Sequence, residues 1–99
     1  MNILIEINDG TVLVGTQFLK KGTLLELNVD GNHTVLTDAT KADAILLKDT
    51  TPTAEGVHAP VVIGGVVESP EMLVLPEGVT LKDVKPVLRT KGIFLRGVK

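Results

Sequence analysis

Imidazole is the side chain that moves protons near neutral pH, so His33 and His58 are the first residues to weigh for chemistry. His33 follows the Asp30-Gly31-Asn32 turn and His58 lies in a stretch rich in Pro and Thr. Both are expected to be exposed loop or strand-end residues. Neither has a second His or a Cys nearby, and the chain contains no cysteine at all, which removes thiolate metal sites and disulfides. No metal signature is present. Asp30-x-Asn32 opens like a calcium loop, but such a loop needs Gly at its sixth position and Glu at its twelfth, where Val35 and Lys41 stand. Asn32-His33-Thr34 fits a glycosylation sequon that matters only in a secreted protein, and the turn reading is preferred. Gly64-Gly65 lacks the spacing of a dinucleotide fingerprint and a following helix, so a bulge within a strand is expected there. No nucleophile with a base and no opposed carboxylate pair emerges. The expectation is a protein that is not an enzyme, with no catalytic residue, cofactor or metal.

Two further groups could meet a partner. Lys82, Lys85, Arg89 and Lys91 read first as a solvated helix face whose cations complement the helix C-terminus, and second as a patch for an acidic surface. Thr50, Thr51 and Thr53 around Pro52 read as a solvated connector or a recognition loop.

The elements that must hold these residues follow from length and pattern. Ninety-nine residues with 43% hydrophobic and 22% charged side chains make one domain rather than a disordered tail. A chain this small buries only roughly 60–65% of its unfolded surface, and with no disulfide or metal, oligomerisation is the remaining source of burial. Fourteen Val, six Ile and eleven Thr favour a pleated sheet. Two aromatic residues, Phe18 and Phe94, and a net charge of −2 disfavour nucleic acid as a partner. No apolar run approaches the roughly 20 residues of a membrane helix, so no membrane partner is expected. No signal-peptide pattern opens the sequence, and synthesis in the cytoplasm is the expectation.

Along the chain, alternation at Ile3, Ile5 and Ile7, the Asn8-Asp9-Gly10 turn and Thr11–Val14 predict an N-terminal hairpin. With the loop to Gly22, this makes a segment over 1–22 ahead of a β-rich body over 23–99. A second hairpin joins Leu25–Val29 to His33–Leu36 through a type I′ turn at Asp30-Gly31. Ala44–Leu47 reads as a short buried strand, 49–60 as an exposed loop, and Val61–Val67 as a strand interrupted at its glycines. A helix is expected over 83–91, capped by Asp83, with Pro86 in its first turn and Gly92 after its end. Starting it at Thr80 would place Pro86 in its interior at a cost of about 3 kcal/mol. Ile93–Leu95 closes the chain as a strand. The fold class is therefore mainly β: a single-domain barrel or sandwich of short strands with one short C-terminal helix.

The order of these segments resembles a known family. Lys21-Gly22-Thr23-Leu24-Leu25, the Asp30-Gly31 turn, Ala42–Asp49, the Thr-rich loop, Ala59–Val67 and Lys91–Leu95 resemble the head decoration proteins of tailed bacteriophages and the capsid-binding base of head fibre proteins. The likeness spans about three quarters of the chain. It implies a small β-rich homotrimer on the outer surface of the mature head, clamping subunits of the phage major capsid protein. By the same analogy Ile3, Ile5 and Ile7 face the shell by strand addition, with an ordinary hairpin as the alternative. Val61, Ile63 and Phe94 are the candidates for the trimer seam. A fibre base or host-adhesion module that uses the 49–60 loop as its outer surface is the alternative function. Two features depart from the family pattern: an apolar strand where a flexible arm is usual, and the extra Met72–Leu75 piece.

Overall fold

The computed structural model describes residues 5–98. Six strands and one α-helix follow in order: β1 (Ile5–Leu13), β2 (Leu24–Leu27), β3 (His33–Val35), β4 (Ala42–Leu46), β5 (Val57–Val67), α1 (Leu81–Thr90) and β6 (Ile93–Leu95). Single 3₁₀ turns occupy Ala39–Lys41 and Pro70–Met72. The sheet runs β1-β3-β2-β4-β5-β6, and β1 also pairs with β5. Five strands therefore close on themselves as a small barrel, which removes the exposed edges an open sheet would present. The eleven residues of β5 reach beyond the barrel, and β6 joins that extension in parallel from Gly65↔Ile93 to Val67↔Leu95.

The apolar runs are explained by burial on both faces. Leu13, Leu25, Ala44, Leu46, Ala59 and Val61 fill the barrel interior. Leu24, Ile45 and Val62 point the other way and pack with Val84, Leu88, Ile93 and Leu95 beneath the helix. Adjacent residues in β2, β4 and β5 thus serve different cores, so the strands read as continuous hydrophobic stretches rather than alternating ones.

Several expectations are corrected. The N-terminal segment is not a hairpin: β1 is one strand that runs antiparallel to β5 from Ile5↔Gly65 to Leu13↔Val57. Asn8-Asp9-Gly10 forms an irregularity within it, and Gly10 does not take the positive φ that a type I′ turn demands. The β2–β3 hairpin is present with a five-residue loop over 28–32 in which only Gly31, at φ 84°, lies in the left-handed region. Asn28 replaces the primed turn, its Oδ1 accepting from the N–H groups of Asp30 and Asn32 at 3.0 Å each. The exposed loop ends at Gly56, because Val57–Pro60 already belong to β5. The expected bulge is present, as Ile63 is the extra residue where Glu6↔Gly64 gives way to Ile7↔Val62.

The helix starts at Leu81, earlier than 83, because Thr80 and Asp83 form a capping box. The Asp83 N–H donates to Thr80 Oγ1 at 3.3 Å and the Thr80 N–H donates to Asp83 Oδ2 at 2.9 Å. Pro86 consequently sits inside the helix. It lies on the exposed face, where water can solvate the Lys82 carbonyl left without its intrahelical donor. Val84 and Leu88 are buried on the opposite face, and that packing outweighs the lost bond.

Candidate interaction surface

Ile3 lies outside the described residues. Ile5 opens β1 opposite Gly65. Ile7 is 48% exposed and neighbours the bulged Ile63, itself 39% exposed, across the β1–β5 ladder. Phe94 on β6 is 45% exposed and pairs in register with Val66 of β5. Three consecutive strands of the sheet, β1, β5 and β6, therefore each present a large apolar side chain to solvent. Val61 does not join them. It is fully buried in the barrel interior, so its place at a subunit seam is corrected: the residue serves the monomer's own core.

A groove of about 620 Å³ opens between β4, β5 and the segment after β5, lined by Ile45, Val62, Val66, Val67, Met72 and Leu73. Lys20, Asp49, Glu68 and Ser69 stand at its margin. One boundary is fixed by the backbone. The Gly22 N–H donates to the Leu46 carbonyl at 2.7 Å, and the Val74 N–H donates to the Gly22 carbonyl at 2.9 Å. Such a site can take up apolar side chains and orient them by a few peripheral charges. Its walls come from separated segments, so no local sequence signal announces it. Met72, 72% exposed, is the one visible hint, from the Met72–Leu75 piece that the family pattern lacks.

The polar candidates take other roles. His33 is buried rather than exposed, contrary to expectation. Its Nε2 meets Asp43 Oδ2 at 2.7 Å, and Asp43 Oδ1 meets Lys91 Nζ at 3.2 Å. This chain ties β3 to the start of β4 and to the end of α1. Lys91 itself is exposed, as the solvated helix face expected of it requires. His58 is exposed, on β5 rather than in a loop. Among the described residues no group of three His, Asp or Glu side chains is placed to hold a metal ion. Of the threonines, Thr50 is bound into the loop by two backbone bonds with Leu19, at 2.8 and 2.9 Å.

Glu26 is the buried charge of the barrel wall. Burial pushes its carboxyl up, but the N–H and hydroxyl of Thr37, at 2.7 and 2.8 Å, together with the charge of Lys41, offset this and hold it below the ordinary glutamate value. A carboxyl held low in the folded state stabilises the fold above its unfolded value, and that contribution is lost as pH falls through the folded one. Thermal melts of the wild type and Glu26→Gln should therefore differ most near neutrality and converge as pH drops below about 4.5. A gap that stayed constant down to strong acid would exclude this role.

No protein-family model matches the chain, and no curated protein matches it.

Proposed function

We propose that this protein is a non-enzymatic decoration protein of a tailed-phage head, binding the outer surface of the mature shell as a trimer and stabilising it. The observation that carries the reading is the exposed apolar side chains Ile7, Ile63 and Phe94 on the neighbouring strands β1, β5 and β6, the last two within the segments that resemble that family. A 99-residue domain has little surplus burial, and shape-matched contact with a shell and with sister subunits supplies more. No bond is made or broken. A ligand that binds only the mature shell stabilises it by mass action, and three linked copies raise the effect through effective concentration. The major capsid protein is the partner, and the location is the virion exterior.

Where the adjoining reading frame encodes a tailed-phage major capsid protein, particles assembled from it should retain the purified protein through sedimentation. Carrying Ile7→Glu and Ile63→Glu together, it should be retained at least about tenfold less, because two charges would have to be desolvated in the contact. Wild-type protein that leaves such particles bare, or a double variant retained equally well, overturns the reading.

A further inference from the structure

The charges are unevenly distributed. Residues 81–99 carry six Lys or Arg and one acid, whereas residues 1–80 carry four and eleven. Lys91 and Arg96 are paired with Asp43 and Glu68, but Lys82, Lys85 and Arg89 have no carboxylate within ion-pair distance among the described residues. Arg89 lies over the Phe94 ring, 5.8 Å from its centroid. Lys85 Nζ donates to the Val98 carbonyl, which fixes the second cation beside the first. Together with Ile93 and Gly97 these residues enclose a socket of about 280 Å³, apolar at its floor and cationic at its wall.

The β2–β3 loop carries the complement. Val29 is wholly exposed, at 103%, and its neighbour Asp30 makes no side-chain hydrogen bond or ion pair among the described residues. The loop that presents them is braced by its own hydrogen bonds. Besides the two bonds to Asn28 Oδ1, the Asn28 N–H donates to the Asn32 carbonyl at 2.8 Å and the Gly31 N–H to the Asn28 carbonyl at 3.1 Å. Among the described residues, nothing within the monomer uses this exposed apolar side chain beside an unpaired carboxylate.

We propose that the Val29-Asp30 tip of one copy seats in the Lys85–Arg89–Phe94 socket of a neighbouring copy, Val29 on the apolar floor and the Asp30 carboxylate on the Arg89 guanidinium. A second copy suits the socket better than an extended polyanion. The strongly acidic remainder of the chain would repel a long nucleic acid or an anionic membrane, whereas a single carboxylate on a tip meets only the local cations. Tip and socket are different surfaces, so the contact is heterologous, and repeated about a three-fold axis it closes as a ring. This contact deepens the trimer of the proposed function and rests on that reading.

Sedimentation at millimolar protein and low salt is the test, with circular dichroism verifying that each variant is folded. Wild-type protein should form trimers. Asp30→Lys and Arg89→Glu should each weaken association about a hundredfold through like-charge contact, and the double variant should restore it. Trimers that persist in both single variants, or a double variant that stays dissociated, overturn the contact while the trimer stands. A wild type that remains monomeric overturns the contact as well, and shell binding is then judged separately by the particle experiment.

Discussion

Replacing Leu88 by alanine should lower the unfolding free energy by about 3–4 kcal/mol and the melting temperature by roughly 15 °C or more. Leu88 is completely buried, in the cluster that contains Leu24, Leu36, Ile45 and Ile93. The effect is large for two reasons. Truncation leaves a cavity between helix and barrel that a short helix cannot close by collapse. The ten-residue helix also lacks the bond that Pro86 cannot donate, so it has little stability of its own and depends on Val84 and Leu88. Chemical denaturation followed at a helix band and at a sheet band should show both moving to lower denaturant together. A loss below about 1 kcal/mol would mean that the helix is not an integral part of the fold.

Gly22→Ala is the second large effect, expected at about 3 kcal/mol. Gly22 has φ 95°, and an added Cβ would stand 2.8 Å from the Met72 carbonyl oxygen, a backbone atom that cannot rotate away. The same residue joins β4 to the 72–74 segment by backbone bonds, so relief of the clash must disturb the groove wall. Gly31→Ala separates the two contributions. That glycine has φ 84° with nothing within 4 Å of the added carbon, so only the conformational cost of about 1–2 kcal/mol should appear. Equal losses in the two variants would show that the close approach at Gly22 carries no weight.

The sequence revealed the elements whose signals are local. The β2–β3 hairpin, a short buried strand expected at Ala44–Leu47 and found at Ala42–Leu46, the closing strand at Ile93–Leu95 and the helix stop at Gly92 follow from turn chemistry and short apolar runs. Its start was misplaced because the capping box of Thr80 and Asp83 competes with the proline rule, and burial of Val84 and Leu88 decides between them. The N-terminal hairpin failed for a different reason. Asn8-Asp9-Gly10 offers turn residues, but a partner at Val57–Gly65 offers a whole strand, and turn propensity carries no information about so distant a competitor. Val61 was misassigned because a strand with a core on each side shows no period by which to tell inward from outward residues. The polar expectation for His33 failed similarly, since Asp43 and Lys91 become its neighbours only through the folded chain. Ile63 and Phe94 present apolar surface to solvent.

Closure of the barrel by the first strand has a consequence for biogenesis. β1 is synthesised before every other strand, yet its antiparallel partner begins only at Val57 and extends to Gly65. During vectorial translation, at about 5–20 residues per second, β1 must wait for seconds with its ladder groups unmated by β5. β1 is then held open throughout the synthesis of β2 to β4, which makes this interval the moment when a nascent-chain holdase would matter most.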